Sequence, residues 1–338
     1  MQAGLGIPGA ATALAASPGE TQTLLKPKRL SPGMTVGIVA PSSPAPEDET
    51  VHYAIELVES FGFKAKPGKH LFARTEYLAG ADIQRAEDLN AMFADPSVGA
   101  IMAMAGGYGA MRILPMLDYP LIRRNPKALI GYSDITALHC ALQQKVGLIS
   151  YHGPTVLSRF TDYSLREFRQ VLMEPQSNVR IGAAPPFETG PGKVDRENRI
   201  TTFVPGKAKG RLIGGNLTLI SCLMGTPYEP DFTGRLVFLE DVHEAPYRID
   251  RMLTQLVISG KLKAAAGLIF GKFTDAESSG NTFSLEYVLR DAAKAVGIPS
   301  ARGIMIGHVP DQTVVPVGLE AEFDAGTGSL TLLETSVA

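Results

Sequence analysis

Between Thr35 and Gln144 the chain alternates short apolar runs with segments of helical spacing, and this alternation restricts the fold more than any other feature. The run TVGIVA, Thr35 to Ala40, is rich in β-branched residues and closes on Pro41-Ser42-Ser43-Pro44, which predicts a buried strand followed by a loop. From Glu47 to Phe61, Val51, Ile55 and Val58 recur at helical spacing, acidic residues fill the first turn and Gly62 stands at the C-terminal cap. The same reading predicts a strand near Phe63 to Ala65, a helix from about Asp82 to Ala94 and a strand from Ala100 to Ala105. A helix from Gly109 to Leu117, a strand from Ala128 to Ile130 and a helix from Ile135 to Gln144 follow. Strands and helices alternating at this length imply right-handed βαβ units, so the first half is expected to be an α/β layer structure on a parallel sheet.

A length of 338 residues exceeds one ordinary hydrophobic core and predicts two domains. The texture changes near residue 174: Pro175 to Gly206 is rich in Pro, Gly and charge and has no period that a packed element could use. This divides the chain into an N-terminal domain (31–174), a linker (175–206) and a C-terminal domain (207–338). The last is expected to be mixed α+β, with a strand at Arg235–Leu239 and a helix at Pro246–Ser259. Further strands are expected at Leu268–Phe273, Ile304–Gly307, Val314–Val317, Ala321–Phe323 and Leu330–Leu333. Residues 1–30 read as a disordered leader; Met1 to Gly19 carries no charge and lacks a basic n-region, so an export signal there is the alternative to a cytoplasmic chain.

Composition narrows the partners. With 32 Lys+Arg against 34 Asp+Glu, no net field draws the chain to nucleic acid or anionic lipid, and no run of apolar residues predicts a membrane span. Cys140 and Cys222 lie in apolar surroundings without CxxC spacing and read as buried small hydrophobes.

Two strand-to-helix turns carry the first chemical signals. In Gly131-Tyr132-Ser133-Asp134, a serine sits where a sharp turn would lift its hydroxyl above the sheet and aim the next amide, that of Asp134, at an oxyanion. The competing reading is that Ser133 or Asp134 only caps the helix. In Ala105-Gly106-Gly107-Tyr108-Gly109, close backbone approach suits a phosphate cradle, a second oxyanion donor or a plain tight turn; position 112 is Arg, where a dinucleotide fingerprint would need Gly. Glu240 ends the strand RLVFLE at the position where α/β proteins place ligands, while Asp241 and Glu244 are expected to serve the N-terminus of the helix opening at Pro246. Among six histidines, His308 follows Gly303-Ile304-Met305-Ile306-Gly307 at an expected strand end. His139 reads as packed, His52 and His70 as surface residues, and His152, in a loop before Gly153-Pro154, is the rival base. No HExxH, HxH or Cys/His cluster predicts a metal site.

Taken in order, Gly106-Gly107-Tyr108-Gly109, Gly131-Tyr132-Ser133-Asp134, Gly214-Gly215-Asn216-Leu217, Gly225-Thr226-Pro227-Tyr228, Leu239-Glu240-Asp241-Val242 with Tyr247-Arg248-Ile249-Asp250, and Gly307-His308 resemble the LD-carboxypeptidase family of serine peptidases from about residue 34 to 334. The resemblance implies a Rossmann-like N-terminal α/β domain, a C-terminal domain of mixed strands and helices, a homodimer, and a Ser-Glu-His triad without metal or cofactor. By motif the nucleophile falls on Ser133, the acid on Glu240 and the base on His308, with the amides of Gly107 and Asp134 as oxyanion donors. A serine hydroxyl needs an imidazole to take its proton and a carboxylate to fix the ring's tautomer, so the chemistry demands the same three parts.

The resemblance further implies hydrolysis of the L,D bond between diaminopimelate or lysine and the terminal D-alanine of a murein tetrapeptide, in peptidoglycan recycling. A branch of the family cleaves peptidyl-nucleotide antibiotics of the microcin C type and stacks a tryptophan on the nucleobase, whereas this chain has 0 Trp. A third possibility is a ligand-binding protein without catalysis, in which Ser133 is only a cap. Arg112 and Arg248 are the candidate cations for the substrate carboxylate.

Overall fold

The computed structural model describes residues 23–277 and 280–338. The first part of the chain forms β1 (Thr35–Val39), α1 (Asp48–Ser60), β2 (Lys64–Pro67), α2 (Asp82–Ala94), β3 (Val98–Ala103), α3 (Ala110–Ile113), α4 (Tyr119–Arg124), β4 (Ala128–Gly131), α5 (Thr136–Val146), β5 (Ser150–His152) and α6 (Asp162–Phe168). The expected alternation is thus present, with one break. The helix expected over Gly109–Leu117 is only α3 followed by a 3₁₀ turn at Leu114–Met116, because Pro115 supplies no N–H to a continuing ladder, and α4 begins separately beyond it.

The second part forms β6 (Val179–Ile181), β7 (Thr201–Val204), β8 (Lys207–Asn216), α7 (Leu217–Leu223), β9 (Leu236–Val242), α8 (Pro246–Ile258), β10 (Gly267–Thr274), α9 (Leu285–Val296), β11 (Ser300–Arg302), β12 (Val315–Val317), β13 (Glu320–Asp324) and β14 (Ser329–Leu332). Local chemistry sets the helix ends. Ser284 accepts the amide of Tyr287 to open α9, and Gly297 closes it at φ 74°.

Two sheets result, and the fold is α/β. The first has the order β12-β5-β4-β3-β1-β2, parallel except for β12. All four residues of β4 are buried, as are Val36 to Val39 of β1, which is why these strands read as unbroken apolar runs. The second sheet has the order β6-β14-β13-β8-β9-β10-β11-β7; its centre, β8 to β11, is parallel and its flanks are antiparallel.

Several expectations are corrected here. Segment 175–206 contributes the edge strands β6 and β7, so it is not a linker without packed elements. Strand β12, from the C-terminal half, pairs antiparallel with β5 of the first sheet, Val315 opposite His152 and Val317 opposite Ser150. Ile304–Gly307 is no strand: Gly303 and Gly307 take φ of 108° and 124°, and the buried Ile304, Met305 and Ile306 run irregularly beneath β10, where a Cβ on Gly271 would lie 2.4 Å from the Ile306 carbonyl oxygen. Residues 25–30, expected in a disordered leader, are packed: Leu25 and Leu148 form a bridge, and the Leu30 amide donates to the Leu172 carbonyl over 2.9 Å. Residues 1–22 of that leader, with the alternative export signal, lie outside the described residues. Cys140 is buried, which pushes its thiol up to about 12, whereas Cys222 is exposed. No helix among the described residues is long and apolar enough to cross a membrane.

Candidate active site

In the first sheet β1 has β2 on one side and β3 on the other, so the strand order reverses at the β1–β3 pair, the place where open α/β sheets bind ligands. The loops after β1, β3 and β4 meet there. Ser133 follows β4 and takes a φ of 63°, a left-handed conformation rare for a residue with a side chain and a form of strain that concentrates at functional turns. A 3₁₀ turn at Ser133–Ile135 then leads into α5.

The Gly-rich loop is held against this turn by the Asp134 side chain together with Ser42, Ser43 and Arg85, which belong to none of the motifs. The Asp134 carboxylate accepts the Ser42 hydroxyl at 2.6 Å and the Ala110 amide at 2.7 Å, so it caps α3 rather than its own helix. Burial raises its carboxyl, and those two donors oppose the rise. Ser43 donates its amide to the Gly106 carbonyl and accepts the Tyr108 amide, while buried Arg85 donates to the carbonyls of Pro41 and Gly109 and pairs with Asp82. The only sequence signal for the β1 loop was the Ser42-Ser43 pair between two prolines.

Gly106 is required by space. A Cβ there would lie 2.7 Å from the Ser133 Cβ, 3.0 Å from its Oγ and 3.3 Å from the Asp134 nitrogen. Gly106→Ala is therefore expected to displace Ser133 and the Asp134 amide together. A shift of about 1 Å at a reacting group costs on the order of 10²-fold in rate, so kcat should fall by that factor with little change in melting temperature. Steady-state kinetics beside a thermal melt check this.

The second sheet supplies the other two groups. Glu240 lies within β9, which runs on to Val242, and is fully buried. Its Oε2 accepts Nδ1–H of His308 at 2.7 Å. With Nδ1 donating, Nε2 is left as the basic nitrogen. Burial pushes the Glu240 carboxyl up, and the His308 hydrogen bond and charge pull it back. The approach demands Gly307, where a Cβ would stand 3.0 Å from both Cβ and Oε2 of Glu240. Asp241 does not serve α8 as expected: it accepts the Asn216 side-chain amide at 2.8 Å and both the amide and hydroxyl of Thr218 at 2.9 Å, so it caps α7.

The two sheets join beside the Ser133 turn. The Asn216 amide donates to Thr136 Oγ1 at 3.0 Å, and a Cβ on Gly215 would meet that same oxygen at 2.4 Å. Ser133, Gly106, Gly107, Tyr132 and His308 thereby line one cleft of about 380 Å³. Ser133 and His308 share the cleft without a hydrogen bond between them among the described residues, and such contacts commonly tighten only with substrate bound.

His152 is not in the cleft. It ends strand β5 rather than lying in a loop, is fully buried between Tyr132 and Phe238, and has no partner for either ring nitrogen among the described residues. Burial drives its basicity well below the ordinary histidine range. His139 is packed under the turn, Nε2 against the Gly131 carbonyl and Nδ1 against the Ser150 hydroxyl, and burial lowers it to about 4. Neither candidate cation reaches the cleft: Arg112 is taken by a two-point contact with Asp82, and Arg248 lies on the exposed face of α8 beside Glu244. Among the described residues no group of three or more His, Cys, Asp or Glu could hold a metal ion.

Comparison with known proteins agrees with this architecture. Residues 36–153 match the family model for the LD-carboxypeptidase N-terminal domain, and residues 209–323 match that for the C-terminal domain. The chain is 40% identical over 306 residues to a probable murein peptide carboxypeptidase of Bacillus subtilis, covering 88% of this chain and 90% of that protein. A solved structure of muramoyltetrapeptide carboxypeptidase from Oxalobacter formigenes superposes with a TM-score of 0.76 at 30% identity, covering 88% of this chain and 98% of the other. MccF in complex with glutamyl sulfamoyl guanosine superposes with a TM-score of 0.84 at 26% identity, covering 93% of this chain and 100% of the other. The chain belongs to the LD-carboxypeptidase family of serine peptidases.

Proposed function

We propose that the protein is a serine carboxypeptidase that removes the terminal D-alanine from murein tetrapeptides, cutting the L,D bond after diaminopimelate or lysine. Ser133 attacks the carbonyl of the third residue as His308 Nε2 takes its proton, and Glu240 holds the ring and stabilises the imidazolium. The amides of Gly107 and Asp134 receive the oxyanion. Collapse of the tetrahedral species breaks the C–N bond, and the proton on His308 passes to the departing nitrogen of D-alanine. Water, activated by His308, then hydrolyses the acyl-enzyme and restores Ser133.

One observation supports this reading above the others: a strained serine on one sheet faces the same cleft as a histidine bonded to a buried glutamate on the other. A binding protein would have no use for the strain or for the buried pair. The nucleotide-directed branch is the second reading; with 0 Trp, the chain could offer a nucleobase only Phe or Tyr as a stacking partner. The enzyme is further proposed to act as a homodimer in the cytoplasm, in recycling of cell-wall peptides.

Purified protein incubated with murein tetrapeptide should yield, by mass spectrometry, a product lighter by one alanine. A pentapeptide of the same stem, ending in D-Ala-D-Ala, should be cleaved on the order of 10²-fold less efficiently, because the D-configured acyl side moves the carbonyl out of line with Ser133. Comparable kcat/KM on the two peptides overturns the L,D assignment, and turnover of a peptidyl-nucleotide alone favours the second branch.

A further inference from the structure

A carboxypeptidase must recognise the free carboxylate of its substrate, and neither Arg112 nor Arg248 stands in the cleft. The mechanism restricts where that carboxylate lies. His308 protonates the departing nitrogen, so the leaving residue sits on the His308 side of Ser133, away from the Gly-rich loop. A second cavity of about 310 Å³ opens on that side, sharing Tyr132, Leu157, Ser158 and His308 with the cleft. It is large enough for one alanine.

Two features mark this cavity as an anion subsite. Arg159 is the one Lys or Arg lining either cavity; it is exposed, and its guanidinium has no ion-pair partner among the described residues. Every other arginine that could have served near the turn is engaged: Arg85 and Arg112 both bind Asp82. The second feature is Gln312, which lines the same cavity, is 3% exposed, and has a buried side-chain Nε2 without an acceptor among the described residues. A buried donor of this kind is destabilising unless something supplies an acceptor. A carboxylate provides the charge that Arg159 lacks and the oxygen that Gln312 lacks.

We infer that Arg159 and Gln312 form the subsite that binds the C-terminal carboxylate of the leaving residue, and that Arg159 makes the enzyme an exopeptidase. The inference rests on the proposed L,D-carboxypeptidase reading and adds the residue that selects for a free chain end. Arg159 acts on binding, and the chemical step remains with Ser133 and His308.

The test uses two tetrapeptides that differ only at the C-terminus, one a free carboxylate and one a carboxamide, hydrolysed by the wild type, Arg159→Ala and Arg159→Lys. A charged hydrogen bond contributes about 1.5–3 kcal/mol, which corresponds to a preference of roughly 10- to 100-fold for the carboxylate in the wild type. Arg159→Ala should bring that preference close to one, mainly through a higher KM for the carboxylate with kcat largely kept, and a thermal melt of the variant controls for folding. Arg159→Lys should restore part of the preference. An unchanged carboxylate preference in Arg159→Ala, or none in the wild type, overturns the assignment of Arg159 and leaves the L,D reading intact. Failure of the wild type to cleave either peptide overturns both.

Discussion

Ser133→Ala is expected to lower kcat by on the order of 10⁴- to 10⁶-fold while the melting temperature stays unchanged or rises. The hydroxyl is the proposed nucleophile and makes no hydrogen bond that the turn needs; the turn is held by the Asp134 carboxylate through Ser42 and Ala110. His308→Ala should fall in the same range, and the double variant should be barely slower than either single one, since a base without a nucleophile has nothing to activate. Multiplying losses in single-turnover rates would mean that the two residues act independently, and the triad would have to be abandoned.

Glu240→Gln should cost on the order of 10⁴-fold in kcat, because an amide can offer Nδ1 of His308 a donor and so favour the tautomer in which Nε2 carries the proton. Its effect on stability should have the opposite sign. Burial raises the folded-state carboxyl of Glu240 above its unfolded value, so the folded chain holds a proton more tightly there. Stability from such a group is present in full below the unfolded pKa, near 4.5, and is lost as pH rises through the folded value. The difference in melting temperature between Glu240→Gln and wild type should therefore grow in favour of the variant from acid toward neutral pH. Calorimetric melts across that range check the sign, and a constant difference would show that the glutamate pair is not a stability cost.

The parallel sheet was legible through its central strands β1, β3 and β4, which are buried on both faces and appear in the chain as apolar runs bounded by loop chemistry. Ile304–Gly307 shows the limit of that logic. Apolarity reports burial, and these residues are buried, but the two flanking glycines at positive φ take the backbone out of any ladder. Ser133, Glu240 and His308 stood out through motif order, and the chemistry of each could be argued locally. Asp134 as the cap of α3, Asp241 as the cap of α7 and Arg159 as a cavity residue could not, since each depends on what another segment brings alongside. The pairing of Val315 with His152 joins positions too far apart in the chain for any spacing rule to connect.

That pairing decides how the enzyme can move. His308 belongs to the same stretch of chain that enters β12, and β12 is hydrogen-bonded into the sheet that presents Ser133, while Glu240 anchors His308 to the other sheet. Swinging the two sheets apart about a hinge would have to strip β12 from β5 and tear the Asn216 amide from Thr136. The body of the molecule is thus a closed clamp rather than a pair of jaws. Substrate entry and product exit then fall to the surface loops over the cleft, those carrying Ser43, Tyr108 and Arg159, whose movement would leave the alignment of Ser133, Glu240 and His308 undisturbed.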